Sequence, residues 1–228
     1  MSISVDIQND VALITLDDGK ANAVNFELME ALNEALDKAE AEAKAIVLAG
    51  REGRFSGGFD LGMMGSFTRD DSVRLLDRAS ELVLRLYGGP LPVVAACTGH
   101  AIAMGVFLLM SCDTRIGAAG EYKLGANESI TGMTLPVFAV ELARERLSPL
   151  HQTRAMIQAF IYDPKGAVEA GYLDMLAEPD KVVSTATSIA GQLAKLPGHA
   201  YAYQKSAMRK PALDAIRASI GNHPNLRN

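Results

Sequence analysis

Two short runs, AIVLAG (45–50) and PVVAACTG (92–99), constrain the fold more than any other feature of the chain. Each is apolar at nearly every position, too short for a helix, and ends on glycine. A strand with one wet face alternates polar and apolar residues. A continuous apolar run of this length reads instead as a strand buried on both faces, which is the situation of a parallel sheet covered by helices on each side. Hydrophobic residues make up 49% of the 228 residues and charged residues 21%, enough apolar material for one large core.

The segments around the two runs agree with that reading. Residues 2–8 and 11–16 alternate around Asn9-Asp10, the pattern of a tight β-hairpin. Phe26, Met29, Leu32, Leu36 and Ala39 recur at helical spacing, with Asn25 or Asn22 available as N-cap. Val73, Leu76, Ala79, Val83 and Leu86 do the same until Gly88-Gly89-Pro90. AMGVFLLMSC follows as a buried helix, and DTRIGAAG as another strand and turn. Strands alternating with helices imply right-handed parallel crossovers. Beyond Leu135 the strand signals largely stop, and residues 137–147, 149–160, 164–171, 181–195 and 199–220 read as helices separated by prolines.

The balance of charge excludes some partners. At a formal net charge of -5, with no lysine or arginine run, the chain offers no stripe for nucleic acid or an anionic membrane. Cys97 and Cys112 lie in apolar segments and read as reduced core thiols, which favours a cytoplasmic setting. The N-terminus lacks a basic stretch followed by an apolar one, and no 18-residue uncharged apolar run occurs. His151, His199 and His223 have no ligand spacing, so no metal is expected.

A glycine-rich turn follows each buried strand: RFSGGFDLG (54–62) and TGHAIAMG (98–105). Glycines there serve tight turns in any such sheet. Where a turn opens a helix, its free N–H groups also suit an anion or a developing oxyanion, and two adjacent turns can present two donors to one carbonyl oxygen. Neither turn matches a phosphate loop, since no Gly-Lys-Ser/Thr follows.

Taken in order, FSGGFDL, GHAIAMGVFLLMSCDTRIG and LGANESITGMTLP resemble the crotonase family, also called the enoyl-CoA hydratase/isomerase family. GAVEAGYLDML, near residue 172, resembles the segment after that family's active-site helices. The resemblance implies a crotonase-like α/β fold, a repeated β-β-α superhelix over residues 1–172 followed by a helical region, 173–228, for oligomerisation and pocket completion. It implies an acyl-CoA thioester as substrate, with coenzyme A as part of that substrate rather than a separate cofactor, and a homotrimer or dimer of trimers. By motif, the N–H groups of Phe59 and Met104 would hold the thioester oxygen. GKANAVN resembles the coenzyme-contacting segment, which brings in the backbone near Lys20, Ala21 and Ala23, with Lys20 either at a phosphate or simply solvated. Gly58, Asp60 and Gly105, inside the glycine motifs, and Lys205, in the last amphipathic helix, are placed with the coenzyme on the same basis.

One side chain stands out in YKLGANESITGMTLPVF (122–138): Glu128 is the only acid between Glu121 and Glu141. The family's hydratases use two glutamates, because adding water across a conjugated double bond requires deprotonating the water and protonating the α-carbon. Here the position matching the first is Phe107, and only Glu128 remains. That pattern resembles the single-glutamate Δ3,Δ2-enoyl-CoA isomerases, in which one base moves a proton from C2 to C4 and no water is needed. Phe107 would keep such a pocket dry. Two other readings stay open. The protein can be a hydratase that takes its second acid from elsewhere, with Asp70 and Asp71 as candidates although TRDDS reads as surface, or a non-catalytic acyl-CoA binding protein. Asp60 and Asp113 read as turn or cap residues, His100 as a turn histidine, and Met63, Met64, Met104 and Met110 as either acyl-pocket or core side chains.

Overall fold

The computed structural model describes residues 3–223 and 226; Ser2 of the expected hairpin and residues 224, 225, 227 and 228 of the expected C-terminal region lie outside these. β1 (Ile3–Gln8) and β2 (Val11–Leu16) pair antiparallel, with Gln8 opposite Val11. Asn9 and Asp10 between them take φ of 50° and 66°, the two left-handed residues that a two-residue hairpin needs. β3 (Ala23–Val24) leads into α1 (Phe26–Glu42). Asn25 is the N-cap, its Oδ1 accepting from the Leu28 N–H at 2.8 Å. Asn22 does other work: fully buried, its amide donates to the carbonyls of Leu16 and Phe55.

A repeating unit then begins. β4 (Ala45–Ala49) is followed by β5 (Gly53–Ser56), β6 (Gly58–Phe59), α2 (Leu61–Met64) and α3 (Arg69–Gly88). β7 (Val93–Cys97) is followed by β8 (Gly99–Ile102) and α4 (Met104–Ser111), and β9 (Thr114–Ala118) by β10 (Leu124–Gly125). Next come α5 (Glu128–Thr131), α6 (Val137–Arg146), α7 (Pro149–Gln152) with a π-helical turn over Thr153–Ile157, and α8 (Pro164–Ala170). β11 (Met175–Ala177), α9 (Val182–Leu193) and α10 (Gly198–Ser219) complete the chain.

The first strand of each unit enters one six-stranded sheet, ordered β1-β2-β4-β7-β9-β11 and parallel except at the hairpin. The second strand enters a smaller parallel sheet, β10-β8-β5. This is the expected β-β-α superhelix. The glycine turns read from sequence as loops therefore hold short strands, β5, β6 and β8, too brief to show an alternation.

Burial of the main sheet on both faces is realised side chain by side chain. Ile46 and Leu48 of β4 enter the larger core, which α1, α3, α4 and α6 build. Ala45, Val47 and Ala49 point the other way, onto Val182, Ala186 and Ala190 of α9. One expectation is corrected here. β11 is a strand where none was foreseen, pairing with β9 and tied to it by Arg115, whose Nε, Nη2 and backbone N–H donate to the Asp174 carboxylate while Nη1 donates to the Gly171 carbonyl. Beyond residue 172, β11 extends the sheet and α9 covers its second face. The core thus continues past residue 172, into Val182, Ala186 and Ala190 of α9 and Ala212, Leu213 and Ile216 of α10.

Candidate active site

Two glycines bring the two turns together. Gly58 takes φ of +92°, and a β-carbon there would lie 2.8 Å from the Ala103 Cβ and 3.2 Å from the Met104 nitrogen. A β-carbon on Gly105 would meet the Ser56 carbonyl oxygen at 2.3 Å, so α4 begins directly against the end of β5. Ala103, just before α4, has φ 51° and ψ -125°, a region that L-residues rarely adopt. Met104 is the first residue of α4, and the helix's earliest bonds run from the Val106 and Phe107 N–H groups to the Ala103 carbonyl. The Met104 N–H is thus one of the donors that a helix start leaves without an intrahelical partner. Its side chain is fully buried core, whereas Phe59 and Ala103 line a cavity.

That cavity, about 230 Å³, is walled by Leu61, Met64, Leu75, Phe107 and Phe138, with Phe107 and Phe138 edge-to-face at 5.8 Å between ring centroids. Glu128 opens α5, a single turn stopped by Gly132 in the left-handed conformation. Its side chain also lines the cavity, and it is the one carboxylate that does so among the described residues. The residue is 6% exposed, and Oε2 is the one buried side-chain N or O atom without a hydrogen-bond partner among the described residues. Burial pushes the Glu128 carboxyl up from its ordinary value, although the backbone N–H groups of Glu128 and Asn127 pull the other way. An unpartnered oxygen of raised basicity, facing a hydrocarbon-lined space, is suited to taking and returning a proton.

Ala21 and Ala23 are stitched to the first glycine turn: the Ala21 carbonyl accepts from the Gly57 N–H at 2.8 Å, and Ala23 pairs with Gly58. Lys20 is exposed beside them, its carbonyl taken by Arg51. Asp60 caps α2, accepting from the Met63 N–H, and Asp71 forms the capping box of α3 with Thr68, so neither aspartate lines the cavity and no second acid comes from TRDDS. His100 accepts from the Lys123 N–H, outside the cavity. Of the four methionines singled out, Met64 lines the cavity, and Met104 and Met110 are core.

Lys205 is a correction. It is buried, not held out toward a phosphate: Nζ donates to Asp113 at 2.9 Å and to the carbonyls of Leu86 and Leu91. The reason lies in Asp113, which burial would neutralise but which Lys205 and Arg209 hold below the usual carboxylate range. Sequence reading missed the cavity-lining roles of Leu75, Leu76 and Leu226. Helical periodicity had assigned Leu76 to the core, and periodicity does not separate a core face from a pocket wall.

A β-β-α spiral that presses two glycine turns together beside a buried carboxylate defines a class of protein able to hold a carbonyl oxygen on backbone donors while a proton moves nearby. Comparison with known proteins identifies the family: residues 6–223 match the enoyl-CoA hydratase/isomerase model, and the chain belongs to that family of crotonase-fold enzymes. A Mycobacterium tuberculosis protein, described in one structure as an enoyl-CoA isomerase and in another as a probable enoyl-CoA hydratase, superposes in the first with a TM-score of 0.91 at 41% identity, over 96% of each chain. A Mycobacterium marinum structure described as an enoyl-CoA hydratase gives 0.92 at 39% identity, over 97% of each chain. Human mitochondrial enoyl-CoA delta isomerase 1 is 28% identical over 212 residues, 91% of this chain and 70% of the relative. The similar proteins thus carry both activity names.

Proposed function

We propose that this protein is an enoyl-CoA isomerase that moves a double bond from C3 to C2 of an acyl-CoA thioester. The observation that carries the reading is Glu128, the one carboxylate lining the cavity among the described residues, with an unpartnered oxygen. Its carboxylate takes a proton from C2, the electron pair moves into a dienolate, and the same proton returns to C4, so no atom is added or lost. The Phe59 and Met104 N–H groups hold the dienolate oxygen, an arrangement in which one donor is typically worth about 10² to 10³ in rate. Lys20, Ala21 and Ala23, with Gly58 and Gly105 supporting the turns, receive the coenzyme portion, and no separate cofactor or metal takes part. The isomerase works as a homotrimer or dimer of trimers, which light scattering would test.

The second reading, hydration, is favoured by the hydratase names among similar proteins. It needs a second acid, and the position that would supply it by resemblance holds Phe107, whose ring is part of the apolar wall. The deciding experiment incubates the protein with a 3-enoyl-CoA and, separately, a 2-enoyl-CoA, following the conjugated thioester absorbance, with Glu128→Gln as control. Glu128-dependent conversion of the 3-enoyl substrate, with little loss of the 2-enoyl one, is the expected result. Efficient hydration would overturn the reading, and silence with both would point to a binding protein.

A further inference from the structure

We infer that Leu226 is a specificity-determining residue, the wall that limits how long an acyl chain the cavity accepts; the inference rests on the acyl-CoA reading of that cavity. The main cavity has a neighbour of about 30 Å³, and four residues line both: Leu76, Thr134, Pro136 and Leu226. Leu226 therefore stands in the partition between them. Of these four it alone comes from beyond α10, and Gly221 and His223, which precede it, are bonded to a single carboxylate on α3. After α10 the chain turns at Gly221, with φ +74°, whose N–H donates to Asp77 Oδ1 at 2.8 Å. His223 is buried with Nε2 2.7 Å from the same oxygen, and the Leu226 N–H donates to the His223 carbonyl at 3.1 Å. Asp77 directly follows Leu76, so the anchor and the partition share one turn of helix. Truncating Leu226 removes the branched end of the partition and opens the smaller cavity to the larger.

The test uses saturated acyl-CoAs of increasing chain length, which bind without reacting, titrated calorimetrically into the full chain and into Leu226→Ala and His223→Ala. Discrimination by a hydrophobic pocket runs at about tenfold or more per methylene that meets a wall. Leu226→Ala should therefore move the ratio of long-chain to short-chain affinity toward long chains by about tenfold, and His223→Ala, which frees the anchor, should move it in the same direction. A ratio unmoved by Leu226→Ala overturns the inference. A length shift in a protein that binds acyl-CoAs but isomerises none sustains it while sinking the isomerase reading, and a protein that binds no acyl-CoA overturns both.

Discussion

Glu128 leaves one oxygen without a partner inside an apolar cavity, an arrangement that costs stability and that, on the proposed reading, provides the base. Glu128→Gln should lower isomerisation by about 10² to 10⁴, the usual contribution of a positioned general base, while leaving acyl-CoA affinity largely intact. In the proposed mechanism the ionised form is the working one, so turnover should fall as pH drops through a carboxyl value raised above the ordinary one. Stability carries the opposite sign. A raised folded value means that the native state is penalised once the group ionises, so Glu128→Gln should melt higher than the parent above that value and equal it in acid. Ala103 is the second residue in a costly state, at φ 51° and ψ -125°. Ala103→Gly should relieve roughly 1 kcal/mol after the glycine's own entropy is counted, raising Tm by about 2–4 °C in scanning calorimetry. The Met104 donor is main chain, so turnover should survive that change.

Among the elements, α10 is fixed by one buried acid. Asp113, at the entry to β9, receives Lys205, Arg209 and Tyr201 from α10 and the Val93 N–H from β7. Lys205→Met should cost about 3 kcal/mol in urea unfolding, because it leaves part of a buried charge unpaired. Asp113 is depressed, so its contribution is present above the ordinary carboxylate value and fades as pH falls toward its own lower one. The deficit of Lys205→Met should shrink over that acid range. The sequence made some elements legible and hid others for the same physical reason. AIVLAG and PVVAACTG showed double burial because every position was apolar, and Asn9-Asp10 announced the hairpin because few residue pairs tolerate two left-handed conformations. Met175–Ala177 is three residues long, below any periodicity, and its place depends on the distant Arg115–Asp174 pair. Glu128 stood out as a lone acid, but its missing partner and the leucines facing it are three-dimensional facts. Lys205 misled because an amphipathic helix does not reveal that a buried aspartate waits on another strand.

At the scale of the whole molecule, two layers of helix enclose the main sheet, one of them supplied by α9 alone. A chain ending at Tyr172 would leave Val47, Val94, Ile116 and Ala118 uncovered and Asp113 without Lys205 and Arg209. Each such aliphatic side chain is worth about 1.5–3 kcal/mol when buried, against a net stability of about 5–15 kcal/mol for a native protein. The truncated chain should therefore show no cooperative melt by circular dichroism and should aggregate; a soluble fragment with a cooperative melt would show instead that residues 3–172 fold without the later helices. The covering of the sheet by α9 also has a counterpart in time. While the chain is being made, β2, β4, β7 and β9 emerge with one greasy side open to water, and they stay so until residues past Leu193 have left the ribosome. That exposed apolar surface is open to aggregation through most of synthesis, and the arrival of α9 is the event that covers it.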